Sequence, residues 1–187
     1  RDWYTPAGTP KIWGNYIYLD TEERRCFTDN DHNLLFTQTQ HQLATSTDTE
    51  IDLTYFNHPV KSIHLVSGKA TGNDWDTEFT FSKSSLYING TPLFEETSPV
   101  YHHTVVPEMH SSDLPDDILE DLPTFTWPFC ISLSRSNPTG TLNFSRIDNA
   151  KLSLTGPSGG NALHRVYAVN YNILRVKQGM GGVAFGN

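Results

Sequence analysis

The sequence predicts an all-β protein built from short antiparallel strands that pack as a sandwich or a barrel. Apolar residues alternate with polar ones in several short runs, which is the pattern of strands with one buried face. Asn-Gly at positions 89–90 joins two of these runs, and this dipeptide is the strongest short-range signal for a hairpin. Helical periodicity is poor by comparison. Together these observations favour a β-sandwich or barrel.

Length and composition narrow the class of protein further. The 187 residues are predicted to form a single domain, 1–187. The formal net charge is −8 and the 13 Lys and Arg form no basic run, so we expect no direct contact with nucleic acid. No run of 18 apolar residues predicts a transmembrane segment. The chain begins at Arg1 rather than Met, from which we expect a processed or truncated start.

The two cysteines, Cys26 and Cys130, are too few for a disulfide framework. They suit a reducing compartment, and we expect two buried free thiols.

In the first part of the chain, residues 31–43 are ambiguous between helix and strand. The runs "VKSIHLVS" and "TEFTF" predict strands, and "SLYINGTPLF" predicts a hairpin. The stretch "TSPVYHHTVVPEMH" predicts a turn or two of helix. The acidic and proline-rich "DLPDDILEDLP" is predicted to be a surface loop.

The clearest strand follows, because apolar residues occupy every odd position from 125 to 133. Pro128 lies within this run and cannot donate to a ladder, which predicts an edge strand or a bulge. Alternation then predicts which side chains are buried in this strand and the next ones: Phe125, Trp127, Phe129, Ile131, Leu133, Phe144, Leu152 and Leu154.

The last long strand is predicted within residues 164–178. Its apolar face holds Tyr167, Val169, Tyr171 and Ile173, after which the apolar phase shifts by one residue. That shift predicts a bulge near Ile173.

Between these strands lies a turn signal. Asn137, Pro138 and Gly140 occupy the positions that these residues prefer in a type I turn. Arg146 and Asp148 follow on the predicted next strand, where a two-residue spacing puts side chains on one side. We interpret them as a structural ion pair or as anchors for loops, not as catalytic residues.

Histidines supply the best metal-ligand candidates: His102, His103 and His110, with Glu108. Neighbouring residues on a strand point to opposite faces, however, and no His-x-His spacing is present. We therefore expect a solvated loop and no bound metal.

Two other patterns imitate ligand sites. Asp29, Asp31 and Asn33 imitate the start of a calcium loop, but the required Gly and the final Glu are missing. Residues 179–184 fit G-x-G-x-x-A, yet too few residues follow for the helix that a dinucleotide site requires. No cofactor is expected.

Two sequons are candidate N-glycosylation sites, Asn89-Gly90-Thr91 and Asn143-Phe144-Ser145. Asn89 is expected at an exposed hairpin tip. Asn143 is expected within a strand, where only an outer face could carry a glycan.

Four ordered segments resemble a known family, and they are "NYIYLDTEERRCF", "FNHPVKSIHLVSG", "PTGTLNFSRIDNAKL" and "NYNILRVKQGMGGVAFGN". They are similar to segments of the major capsid proteins of large double-stranded DNA viruses, the iridovirus, phycodnavirus and mimivirus relatives. The similarity spans about Asn15 to Asn187.

The resemblance implies an eight-stranded antiparallel jelly roll, the second of two in a double jelly-roll subunit, with the upstream jelly roll absent from this chain. It further implies a structural, non-enzymatic role in the virion, with assembly in the host cytoplasm. Its implied partners are two further subunits in a homotrimeric, pseudo-hexagonal capsomer of an icosahedral shell, neighbouring capsomers and minor capsid proteins. Cytoplasmic assembly would leave both sequons unmodified. The alternative is a carbohydrate-binding or cupin-like jelly roll, which a bound metal would favour.

Overall fold

A computed structural model of the chain describes residues 11–45, 47–69, 81–111, 124–157 and 162–186. Strands dominate the described part, and helices are short. The elements are α1 Thr21–Asp29, β1 His32–Thr45, β2 Glu50–Asp52, β3 Pro59–Lys69, β4 Lys83–Ile88, β5 Thr91–Thr97, a π-helical turn Tyr101–Val105, α2 Val106–His110, β6 Thr124–Pro128, β7 Leu142–Asn143, a 3-10 turn Phe144–Arg146, β8 Ala150–Thr155, β9 Ala162–Lys177 and β10 Met180–Val183.

The strands form two sheets with jelly-roll topology. One sheet has the order β1-β9-β3-β6, with β7 beside β3 and β10 beside β9, and the other has the order β2-β8-β4-β5. All pairings are antiparallel. Apart from the β4–β5 hairpin, successive main strands alternate between the sheets, so that eight main strands make two four-stranded layers. The predicted all-β jelly roll is confirmed.

The core lies between the two sheets. Ile63, Leu65 and Val166 come from the first sheet, and Leu86 and Leu152 from the second, each almost fully buried. At about 25 cal/mol per Å² of apolar area removed from water, this layer supplies the main stabilisation of the fold.

The predicted hairpin is confirmed. Asn89 and Gly90 connect β4 to β5, with φ angles of 49° and 79°. Positive φ at both central residues is what a two-residue type I′ hairpin turn requires.

The ambiguous residues 31–43 lie in β1, and "VKSIHLVS" lies in β3. The helical turns predicted between residues 97 and 110 are also present. The run "TEFTF" falls outside the described residues except for Phe81, which is buried. The predicted loop "DLPDDILEDLP" lies outside them entirely.

Helix α1 was not predicted, although its start is visible in the sequence. Asp20 accepts a hydrogen bond from the Glu23 amide at 2.8 Å, and the Glu23 side chain accepts one from the Asp20 amide at 3.2 Å. This reciprocal capping box begins the helix. Cys26 lies on α1 and is exposed, so the prediction of two buried thiols is wrong for Cys26 and confirmed for Cys130.

The strand predicted through residue 133 ends at Pro128. Phe125 and Trp127 are buried as predicted, whereas Phe129 and Leu133 are only partly buried. The predicted burial of Ile131 is wrong, because this side chain is 77% exposed. Past Pro128 the chain forms an irregular loop, so period-2 alternation no longer determines side-chain direction. The remaining predicted core residues, Phe144, Leu152 and Leu154, are buried.

Among the described strands, β6 pairs only with β3 and forms an edge of its sheet, as Pro128 predicts. The amide of Phe129, the next residue, donates to the carbonyl of Lys61 at 2.9 Å.

Up to Asn170, strand β9 buries the opposite face to the predicted one. His164, Val166, Ala168 and Asn170 are buried, whereas Tyr167 and Val169 are only partly so. Of the rest of the predicted face, Tyr171 is buried and Ile173 is partly buried. The register of β9 with β1 runs without a break across Ile173, so the bulge predicted there is wrong. The register shift instead occurs in β3, between Val60 and Ser62 where it pairs with β9, which places the extra residue at Lys61.

The chain bends at residues 136–137, at the start of the turn predicted from Asn137, Pro138 and Gly140. The loop is closed by the Ile131 amide, which donates to the Thr139 carbonyl at 3.4 Å. The type I geometry itself stays a prediction. Gly140 has a φ of +142°, and a Cβ there would lie 2.8 Å from the Phe129 carbonyl oxygen.

Replacing Gly140→Ala is expected to lower the free energy of unfolding by about 1–3 kcal/mol, because the new Cβ meets rigid backbone at an unfavourable φ. Urea unfolding measures the effect. The control is Gly182→Ala in β10, where a Cβ would meet nothing within 4 Å. Equal effects of the two substitutions would contradict a steric requirement at Gly140.

The strand predicted to carry Arg146 and Asp148 ends at Asn143. The Asn143 side chain accepts a hydrogen bond from the Ser145 amide at 3.1 Å and begins the 3-10 turn, so alternation does not apply beyond it. Arg146 and Asp148 are both exposed, and they do not form an ion pair in the part of the chain that is described.

Candidate assembly surface

An exposed apolar segment precedes the sandwich. Residues 11–20 contain no helix or strand, and we call them the aromatic arm. Its large apolar side chains are each more than four-fifths exposed: Ile12, Trp13, Tyr16, Ile17 and Tyr18. Such a concentration of exposed apolar surface marks a site of contact with another protein surface.

A second apolar surface lies where the first sheet extends past the sandwich. We call it the sheet extension: residues 32–37 of β1, 171–177 of β9, and β10. The first half of β1 is exposed on both of its faces. Leu34 pairs with Leu174, which in turn pairs with Val183, so one face of the extension carries a row of apolar side chains across three strands.

The C-terminal residues are attached to this extension through Asn172. Its buried amide donates to the Phe185 carbonyl at 2.9 Å, and its side-chain oxygen accepts from the Phe185 amide at 3.3 Å. Both hydrogen bonds hold the chain beyond β10 alongside β9. These hydrogen bonds fix the position of the C-terminal residues beside the apolar surface of the sheet extension.

The histidines proposed as metal-ligand candidates have structural roles. His102 is fully buried: Nδ1 lies 2.9 Å from the Thr126 carbonyl oxygen, and Nε2 lies 2.6 Å from Thr97 Oγ1. A carbonyl oxygen can only accept, so Nδ1 carries the proton. Burial lowers the pKa of His102 to about 4, so the ring is neutral at pH 7.

His103 and His110 make similar contacts. His103 Nδ1 lies 3.1 Å from the Thr124 carbonyl oxygen, and His110 Nδ1 lies 3.1 Å from that of Ile131. Carbonyl directions alternate along a strand, so the oxygens of Thr124 and Thr126 lie on the same, outer edge of β6. The helical segment 101–110 thus supplies hydrogen-bond donors to the carbonyl groups at the outer edge of β6. The prediction that these histidines lie in a solvated loop is therefore wrong.

A serine and a histidine also meet on β3. Ser62 Oγ lies 2.8 Å from His64 Nε2, and His64 Nδ1 lies 3.1 Å from Thr126 Oγ1. Ser62 is buried, and the group that orients the imidazole is a hydroxyl instead of a carboxylate. The arrangement lacks the accessible nucleophile and the acid of a hydrolytic triad.

The residues of the calcium-like and dinucleotide-like patterns contact neighbouring strands. Asp31 forms an ion pair with Lys177 at 3.0 Å, and the Asn33 side chain accepts a hydrogen bond from Arg175 at 3.2 Å. Residues 180–183 form β10, a strand where a dinucleotide site would need the start of a helix.

Both sequon asparagines are exposed and hold backbone atoms. Asn89 Oδ1 accepts hydrogen bonds from the backbone amides of Asp148 and Asn149 at 3.2 and 3.1 Å. Asn89 therefore anchors the loop that contains Arg146 and Asp148. Asn143 caps the 3-10 turn. Their modification stays a prediction.

Within the described ranges, no helix is both long and apolar enough to cross a membrane. The same residues contain no cluster of three or more His, Cys, Asp or Glu side chains arranged to hold a metal ion.

The aromatic arm was not predicted as a contact surface. The signal that could have found it is the density of aromatic and apolar residues in "IWGNYIYL", which has no strand alternation that would bury them.

Fold and surface together define a class: a jelly-roll protein whose exposed apolar segments are suited to packing against other protein chains. A sequence profile of the family described as large eukaryotic DNA virus major capsid protein matches residues 23–182. The chain belongs to that family, and the resemblance stated from the four segments is confirmed.

Individual relatives agree with the family match. The chain is 36% identical to the major capsid protein of Pyramimonas orientalis virus, over 94% of this chain and 48% of the relative. It is 27% identical to the major capsid protein of Paramecium bursaria Chlorella virus 1, over 96% of this chain and 54% of the relative. The chain therefore spans about half the length of these relatives.

Solved structures share the fold. A quasi-atomic model of the PBCV-1 virus capsid matches with a TM-score of 0.75 and 26% identity, covering 92% of this chain and 56% of that one. The Faustovirus major capsid protein matches with a TM-score of 0.64, and at 13% identity it shows the shared fold alone.

Proposed function

We propose that this chain is the second jelly roll of a viral major capsid protein, and that its function is to pack against other subunits in the shell of a large DNA virus. The observation that carries the proposal is the match to the PBCV-1 capsid structure over 92% of this chain. The chain covers 56% of that structure, which leaves room for a further jelly roll in the whole protein.

The exposed apolar side chains support a packing role. The aromatic arm would lose most of its apolar exposure if it packed against the rest of the same protein or against a second subunit, and each large side chain so buried would gain about 1.5–3 kcal/mol. The sheet extension offers a second, ordered surface for such contacts.

The proposed assembly is a homotrimer. Three subunits of two jelly rolls each would give six similar units in a pseudo-hexagonal capsomer, which would contact neighbouring capsomers and minor capsid proteins in an icosahedral virion. We propose that assembly occurs in the host cytoplasm. No catalytic activity and no direct nucleic-acid contact are part of the proposal, in keeping with the net charge of −8.

The oligomeric state tests this function. We expect the intact gene product to be a stable trimer by light scattering, with a large apolar interface between subunits. The 187-residue chain alone is expected to be monomeric or to aggregate through surfaces that the rest of the protein would cover.

The aromatic arm supplies matched variants for the same experiment. Trp13→Ser with Tyr16→Ser is expected to reduce aggregation of the isolated chain, whereas Tyr55→Ser, at an exposed side chain outside the arm, is not. An isolated chain that forms a closed, soluble trimer would make a second jelly roll dispensable. An intact product that is monomeric would overturn the capsid proposal.

A further inference from the structure

A groove lies between the sheet extension and the loop that follows β6. It has a volume of about 450 Å³ and is lined by residues of β1, β3, β9 and the loop, namely Leu35, Phe36, Thr37, Lys61, Leu133, Ser134, Arg135, Ser136 and Tyr171. The groove thus joins apolar side chains of the extension to two cationic residues.

Lys61 is the unusual member of this set. It occupies the extra position in β3 and is only 6% exposed. Its ammonium group donates to the carbonyl oxygens of Leu133 and Arg135 and lies 5.8 Å from the centre of the Tyr171 ring. It is absent from the ion pairs formed among the described residues. A buried cation that has no anionic partner is costly.

Tyr171 adds an unused donor to the same groove. The residue is 4% exposed, and its buried hydroxyl has no hydrogen-bond partner among the described groups. Burial raises the pKa of Tyr171, so the hydroxyl keeps its proton and can donate it to an acceptor. An unsatisfied buried hydroxyl is destabilising, and an acceptor that reached it would relieve that cost.

We propose that this groove binds a carboxylate, presented by an Asp or Glu side chain of a second copy of the subunit. A carboxylate accepts from both an ammonium and a hydroxyl and supplies the missing charge. Leu35 and Phe36, which line the groove, belong to the sheet extension. Each copy carries 21 acidic against 13 basic residues, so acidic side chains are plentiful on a second copy. The choice of occupant rests on the proposed function.

Titration with sodium acetate tests the carboxylate site. In the isotopically labelled 187-residue chain at constant ionic strength, we expect saturable shifts of the NMR signals of the Lys61 side chain and the Tyr171 ring. Acetamide, which has the same shape and no charge, is expected to produce no such shifts. Tyr171→Phe removes only the hydroxyl, and we expect it to weaken acetate binding about tenfold while leaving the fold intact.

The matched control is Tyr167→Phe, which removes the same group from β9 outside the groove and should leave acetate binding unchanged. Lys61→Met should abolish binding. If that variant does not fold, Tyr171→Phe still decides the question. Absence of a saturable shift in the unmodified chain, or equal shifts with acetamide, would overturn the carboxylate site.

Self-association of the intact gene product tests the occupant. Tyr171→Phe should weaken subunit association about fivefold or more in a dilution series, and Tyr167→Phe should not. If acetate binds but association is the same in both variants, the second copy is not the occupant. If no variant or unmodified protein associates at all, the proposed function fails, while the acetate titration still reports on the groove.

Discussion

Replacing Trp127→Ala is expected to lower the free energy of unfolding by about 3–5 kcal/mol, the usual range for removing a large aromatic side chain from a core. Trp127 is fully buried, and its ring centre lies 4.5 Å from that of His102. The truncation would remove contacts with both the sandwich and the helical segment. Its indole nitrogen has no hydrogen-bond partner among the described groups, so the expected loss is one of packing alone.

Trp13→Ala is the matched control for this experiment. It deletes the same side chain from the aromatic arm, where the residue is 89% exposed, and should change the free energy of unfolding by less than about 0.5 kcal/mol. Chemical denaturation followed by circular dichroism measures both variants. A loss below about 1 kcal/mol for Trp127→Ala would show that Trp127 is not part of the core.

Acidification is expected to destabilise the fold through His102. Burial lowers its pKa from 6.5 to about 4, and the hydrogen bond to the Thr126 carbonyl only partly opposes this effect. In the unfolded chain the imidazole takes up a proton near pH 6.5, whereas the folded protein resists protonation until about pH 4. The unfolded state therefore binds more protons, and stability falls as the pH is lowered through this window.

Converted at 1.36 kcal/mol per pKa unit, His102 is expected to cost about 3 kcal/mol between pH 7 and pH 4. His64, whose pKa is also lowered to about 4 by burial and by the nearby Lys61, acts in the same direction. Urea midpoints measured at several pH values give the dependence.

Variants test the contribution of His102. His102→Gln should remove its share of the loss, about 3 kcal/mol between pH 7 and pH 4, and leave the share of His64, whatever its effect on stability at pH 7. His41→Gln, at an exposed position of β1, should preserve the whole dependence on pH. If the free energy of unfolding were constant from pH 7 to pH 4, the buried neutral state of His102 would be wrong.

Local patterns predicted most of the fold, and they failed where long-range contacts decide. The hairpin at Asn89 and the core positions Phe125 and Trp127 follow from turn chemistry and alternation. In β9 the outward Tyr167 is more apolar than the buried His164 and Asn170, so hydrophobicity alone selects the wrong face. Only the pairing of β9 between β1 and β3 decides which side chains lie inside.

The candidate sites show the same difference between local patterns, which the sequence displays, and long-range contacts, which it does not. Spacing argued against a calcium-loop role for Asp31 and Asn33, because the pattern is incomplete, and the structure shows these side chains in contact with Lys177 and Arg175. Spacing could not indicate that Lys61 and Tyr171 line one groove, since 110 residues separate them and β3 and β9 bring them together. It also could not predict that His102 is buried, because the residues that bury it, Phe94 and Trp127, lie on other elements.

The histidine contacts to β6 have a consequence for strand addition. In the described part of the chain, the first sheet ends at β6 on one side, where His102 and His103 occupy the carbonyl groups, and at the 14-residue β1 on the other, where β9 is the only partner strand. Among the described strands, β1 therefore offers the longest free edge to an incoming strand, whereas the β6 edge is covered by the histidine-bearing helical segment. A second copy that adds through its own β1 would join the two sheets edge to edge and leave the two covered β6 edges outermost, so growth through β1 ends at two copies.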